Sequence, residues 1–174
     1  NTDSRIVPTV RSNGVLLTQV TPRGGTISGT SAVVQLDAWS NADAAVRAED
    51  GVHLNWPVAF RREGWWAEPG ATTREKGDER AKRLETIRQF FLRAKAYAQR
   101  NGGTTTDLRM EAMRGLFDGS RTLYVHADGA LEIQEAVLFA HELGIARKVI
   151  VGGYDAWRVA DLLLDKQVDV ILQR

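Results

Sequence analysis

An α/β fold built from parallel strands and crossover helices is expected for this chain, and three stretches predict it. Thr122-Leu123-Tyr124-Val125-His126-Ala127-Asp128-Gly129 is an apolar strand that runs into a turn, with one histidine at its C-terminal end. Ala130 to Leu143 then repeats apolar residues at helical spacing, and Lys148-Val149-Ile150-Val151-Gly152-Gly153 is a second buried strand closed by two glycines. Strand, helix and strand in that order make a unit whose two strands lie parallel, joined by a right-handed crossover.

The elements before this unit are less regular. Val15 to Val20 is expected as a strand, followed by the loop Arg23 to Ser31, whose glycines permit tight turns, and by a second strand at Ala32 to Leu36. Asp43 to Glu49 is expected as a short helix, and Val52 to Trp56 as a short strand closed by Pro57. Ala59 to Glu79 is charged, broken by Gly64, Pro69, Gly70 and Gly77, and carries Trp65 and Trp66, which predicts a surface excursion that docks as a flap. From Arg80 to Arg100 the apolar positions Leu84, Ile87, Phe90, Phe91, Ala94, Tyr97 and Ala98 predict a helix, stopped at Asn101-Gly102-Gly103. Asp107 opens a shorter helix that ends near Gly119. After the central unit, Ala156 to Asp165 is expected as a helix and Val168 to Leu172 as another buried strand.

The 174 residues suit one domain or part of a larger one, and 43% hydrophobic content supports a packed core. The 23 basic and 22 acidic residues are well mixed and leave a net charge of +1, so neither a nucleic acid nor a membrane surface is an expected partner. With no cysteine, disulfides, thiolate nucleophiles and thiolate metal sites are excluded together, leaving histidine and carboxylates as ligands for a divalent metal. The beginning, Asn1-Thr2-Asp3-Ser4-Arg5, has neither an initiator methionine nor a signal-peptide pattern, and the last expected strand stops two residues before the end. Both ends predict an internal piece of a longer chain.

His126 is the principal candidate for chemistry, because the C-terminal ends of parallel strands are where α/β proteins hold ligands and metals. A neutral imidazole there is a ready ligand for zinc or a similar ion; the alternative is a histidine that only hydrogen-bonds a neighbouring loop. Asp128 could orient that ligand, but capping the following helix is the preferred reading. His53 is read as a packed core histidine, and His141 as facing outward from its helix. The loop Gly24 to Ser31 lacks the lysine of a phosphate-cradling loop, so a tight turn between two strands is the better reading. Gly152-Gly153 either admits a ligand to the backbone or lets the strand turn, and Asp155 reads as an N-cap. No Gly-x-Ser-x-Gly elbow supports a serine nucleophile.

Several stretches together resemble the amidohydrolase superfamily, and its imidazolonepropionase-like branch in particular. They are Asp3 to Pro8, Arg11 to Val15, Pro22 to Ala32, Val125-His126-Ala127 with the helix after it, and Val149 to Trp157. The last two look like the fifth and sixth strand units of that family's (β/α)8 barrel. The resemblance implies a partial TIM-type barrel spanning 1–174, with the excursion at about 59–79 as an insertion. It implies His126 as a metal ligand, with Gly152 standing where the sixth-strand unit usually offers a histidine. The first-strand His-x-His pair and the eighth-strand aspartate would lie outside this sequence, so the piece alone is expected to be inactive.

By the same resemblance the whole protein would be a hydrolase of cyclic amide or peptide-like C–N bonds, using water activated by a divalent metal such as zinc. Gly25, Ser28 and Ser31 would stand on a substrate-side loop, and the remainder of the barrel or a second copy would cover the open strand edges. A periplasmic or secreted location is compatible with the resemblance, as is a cytoplasmic one. The alternative is a non-catalytic α/β binding or scaffold protein that has lost the metal.

Overall fold

A computed structural model describes residues 4–59, 73–100 and 106–173. Among these residues six strands form one sheet whose spatial order follows the chain: β1 Leu17–Val20, β2 Ile27–Gln35, β3 Ala45–Asn55, β4 Thr122–Ala127, β5 Lys148–Gly152 and β6 Asp169–Leu172. Strands β3 to β6 run parallel, as expected for successive crossover units. The first two strands do not: β1 pairs antiparallel with β2, and β2 antiparallel with β3. The expectation of parallel strands with crossovers is thus corrected for the first third of the chain, where links too short for a crossover allow only hairpin-like pairing.

Helices α3 (Thr73–Ala98) and α4 (Leu108–Phe117) cross from β3 to β4, α5 (Ala130–Glu142) from β4 to β5, and a 3-10 turn at Ala156–Val159 with α6 (Ala160–Asp165) from β5 to β6. The helix side of the sheet carries the core. Val52 and Leu54 of β3, Leu123 and Val125 of β4 and Ile150 of β5 pack with Ile87, Phe91, Met113, Leu116, Ile133 and Val137, all at most 3% exposed. Alternate residues of each strand point to the opposite face, which is where the polar side chains gather.

Two short helices lie ahead of β3. Helix α1 (Ile6–Ser12), not anticipated from the sequence, contributes no buried residue and is tied by Arg11 to Asp37 at 2.8 Å. Helix α2 (Asn41–Ala44) is capped by the Ser40 hydroxyl, which accepts from the Asp43 amide. The expected helix over Asp43 to Glu49 ends there, because Ala45 and Arg47 are already paired with Val34 and Val33 of β2. Sheet pairing overrides a weak local helix preference. The Ala59 to Glu79 excursion is corrected in part: α3 begins at Thr73, and the Trp65-Trp66 flap lies outside the described residues.

The mouth of the sheet is braced where β3 ends. Trp56 Nε1 donates to Glu135 of α5 at 3.1 Å, the Ala59 amide donates to Glu132 at 2.8 Å, and Arg80 of α3 bridges the Pro57 carbonyl and Glu135. These bonds tie the loop after β3 to two helices, so the strand end beside His126 rests on a supported rim. No helix among the described residues is long and apolar enough to cross a membrane.

Candidate functional site

Parallel pairing places Gly51, His53 and Asn55 of β3 beside Thr122, Tyr124 and His126 of β4, pair by pair. All six stand on the face away from the helices, because Val52, Leu54, Leu123 and Val125 take the other one. His126 is at the C-terminal end of its strand, as expected, and is half-buried; its carbonyl accepts from the Trp56 amide at 3.1 Å. Its ring does not merely meet a loop. Nε2 lies 2.9 Å from Nδ1 of His53, one layer deeper in the sheet.

His53 is buried as expected of a core histidine, at 1% exposed, but its neighbours are polar. Its ring stacks on Tyr124 with centroids 4.7 Å apart and planes 9° from parallel. Tyr124 donates its hydroxyl to Asp50 at 2.7 Å, and Asp50 also accepts from Gln19 at 2.7 Å and pairs with Arg47 at 3.4 Å. Gly51 leaves room for two neighbours at once: a Cβ there would stand 2.3 Å from the Thr122 carbonyl oxygen and 2.6 Å from the Tyr124 ring. A run of polar groups thus leads from the strand ends down to a buried carboxylate.

Burial dominates the electrostatics. It lowers the His53 pKa to about 4, with repulsion from His126 adding to the effect and Asp50 opposing it. Burial also lowers His126, against the attraction of Asp128. Tyr124 is raised, first by burial and then by its bond to Asp50. Both imidazoles are therefore neutral near neutral pH, the form in which a histidine can donate, accept or ligate.

The other candidate residues divide. Asn55, the register partner of His126, donates to the Gly25 carbonyl at 2.7 Å and to the Ser28 hydroxyl at 3.0 Å, tying both to the strand end beside the imidazole. Gly24 and Gly25 adopt positive φ values of 92° and 70° in the turn between β1 and β2, the tight turn expected. Ser28 and Ser31 are corrected, since both belong to β2 and not to a loop. Ser31 is 1% exposed and bonds the Gly51 carbonyl at 3.3 Å, a structural position in the sheet. His141 is exposed as expected.

Neither expected aspartate cap forms. Gly129 is the N-cap of α5, and Asp155 makes no side-chain cap bond. The Asp128 carboxylate lies instead against Gly152, where φ is 101° and a Cβ would stand 2.5 Å from Oδ1. Of the two readings for the glycine pair, the strand turns here, and the space beside position 152 is filled.

Two imidazole nitrogens on one tetrahedral zinc, each about 2.0–2.1 Å from the ion, would be about 3.3 Å apart. The 2.9 Å separation found here is that of a hydrogen bond. Among the described residues no group of three histidines or carboxylates converges to hold an ion. His126 fits as one contributor of a nitrogen, and the described residues alone fall short of the three that a catalytic zinc takes.

A cavity of about 580 Å³ lies elsewhere, between β2, α3 and α4, with apolar walls that include Ile27, Val52, Phe90 and Met113. Val52 marks this as the helix side of the sheet, opposite His126. Sequence reasoning missed His53 as a partner of His126, together with Asn55, Tyr124 and Asp50. The signal was present in the matching alternation of Gly51-Val52-His53-Leu54-Asn55 and Thr122-Leu123-Tyr124-Val125-His126, which puts polar rings on one face when the strands pair in step.

The whole arrangement is similar to the crystal structure of an amidohydrolase from Thermotoga maritima MSB8, with a TM-score of 0.79 at 20% identity. The match covers 99% of this chain and 46% of that one, so the chain spans less than half the length of the matched structure. No protein-family model matches the sequence, and no curated protein does. At that identity the likeness defines a fold class: a mostly parallel α/β sheet covered on one face by helices, of the kind found within that amidohydrolase.

Proposed function

We propose that the chain is part of a metal-dependent hydrolase of the amidohydrolase superfamily, in its imidazolonepropionase-like branch, that cleaves cyclic amide or peptide-like C–N bonds. The observation that carries this reading is the placement of His126. It stands at the C-terminal end of a parallel strand, on the polar face, in a chain whose fold matches that of an amidohydrolase structure. A divalent cation such as zinc, when bound, would activate water and polarise the scissile carbonyl.

His126 would give one ligand nitrogen, with the others coming from the rest of a closed barrel or from a second copy against the open edges at β1 and β6. Asn55 holds Gly25 and Ser28 beside that nitrogen, so a small amide substrate would meet this rim first. The Trp56, Glu135 and Arg80 bonds keep the rim in place while substrate enters and leaves.

The experiment is zinc binding to the metal-free full-length protein, with the rest of its barrel present, by calorimetry, with His126→Ala beside it. Zinc uptake that is lost in the variant is the expected result; uptake that survives His126→Ala, or no uptake at all, overturns the reading. A second reading, an α/β binding or scaffold protein without metal, is favoured by Gly152, which has no ligand side chain and adopts a φ of 101° at the position where the family resemblance calls for a histidine. No uptake at all is the outcome it expects.

A further inference from the structure

His53 presents an unusual combination, since Nδ1 is bonded to His126 while Nε2 is buried without a hydrogen-bond partner among the described residues. A neutral imidazole carries one N–H and one bare nitrogen. A proton on Nε2 would leave a buried N–H with no acceptor, which folded proteins avoid more strongly than an under-satisfied acceptor. The proton therefore belongs on Nδ1, facing His126. His126 must then accept at Nε2 and carry its own proton on Nδ1.

We propose that His53 is a positioning residue: its Nδ1–H donates to His126 Nε2 and fixes that ring's tautomer and plane, so that a cation seeking Nε2 must displace the bond. Only the last step rests on the metal reading of His126. His53 cannot easily swing aside, being stacked on Tyr124, which is in turn bonded to Asp50. Ring movement therefore falls to His126, the more exposed partner at the strand end. The bond acts as a latch that holds the His126 ring by its Nε2.

The test starts from metal-free protein labelled with 15N-histidine, read by long-range proton–nitrogen spectra at neutral pH. Protonated Nδ1 and bare Nε2 on both rings is the expected pattern, and a protonated Nε2 on His53 overturns the proposal. His53→Asn keeps a donor near Nδ1 and should preserve the His126 tautomer. His53→Phe keeps an aromatic ring against Tyr124 but removes the donor, and should release that tautomer. If His126 keeps the same signature in both variants, His53 does not fix it. With zinc alone as probe, His53→Phe should bind at least as tightly as the unchanged protein; weakening of about tenfold or more would make His53 a ligand itself and overturn the latch. Failure of zinc to bind any of the proteins removes the metal reading of His126, while the spectra still decide the role of His53.

Discussion

The carboxylate of Asp128 fills the space that a side chain at position 152 would need. A Cβ built on Gly152 would stand 2.5 Å from Asp128 Oδ1, in a backbone conformation with φ of 101° that side-chain-bearing residues rarely adopt. The contact can be relieved by rotation of the exposed Asp128 side chain, so it is the backbone conformation that makes glycine a requirement of the turn after β5.

Gly152→His should therefore fail to add a metal ligand by simple replacement. Backbone strain alone costs about 1–3 kcal/mol, whereas Asp128 can turn away from the contact. Urea unfolding of Gly152→His, Asp128→Ala and the double variant separates the two parts. The double variant should recover little of the loss, because the backbone strain stays. If Gly152→His is as stable as the unchanged protein, the turn is more permissive than this geometry implies.

Much of the fold is legible in the sequence where strand and helix alternate. β4, α5 and β5 each stand where their apolar pattern places them, because the helix-side face of each strand and the inner face of the helix must both be apolar at their own spacing. The first third is harder to read. Ala45 to Glu49 has a helical composition, yet pairing with β2 draws it into an eleven-residue strand. The site divides along the same line: His126 is visible because it ends an obvious strand, while its bond to His53 depends on the register between strands 73 residues apart in sequence. No local pattern encodes that register, which is decided when both strands bury their apolar faces together.

The Tyr124 stack on His53 depends on the missing side chain at Gly51 and on the bond to Asp50. Gly51→Ala should disturb both the β3–β4 pairing and the stack, since the new methyl would stand 2.3 Å from the Thr122 carbonyl oxygen and within 3 Å of Tyr124 ring atoms. Overpacking of this kind costs about 1–3 kcal/mol. Tyr124→Phe should keep the stack and lose only the hydroxyl bond, at about 1–2 kcal/mol, with Asp50 still held by Gln19 and Arg47. Thermal unfolding gives the order of the losses, and the histidine ring-proton shifts report the stack. A His53 shift that moves in Tyr124→Phe but not in Gly51→Ala would contradict the assigned contacts.

Lys148 supplies a pH dependence remote from the imidazoles. It opens β5 opposite Leu123, is 8% exposed, and among the described residues its ammonium meets only the Ile145 and Ala146 carbonyls, at 3.4 and 3.5 Å. Burial lowers its pKa below 10.5, and repulsion from Lys166 adds to the effect. Between the lowered folded value and 10.5 the unfolded chain binds more protons than the folded one, so stability rises with pH through that window. Below the window the buried charge is a standing penalty. Lys148→Met fills similar volume without charge and should stabilise the protein by about 1 kcal/mol at pH 7, as replacing buried charge by apolar groups often does. The advantage of the variant should then shrink as the pH is raised toward 10.5, because the unchanged protein sheds its penalty there. Urea midpoints of both proteins at a series of pH values check this, and a stability difference that stays constant up to pH 10.5 would show that the Lys148 ammonium carries no burial penalty.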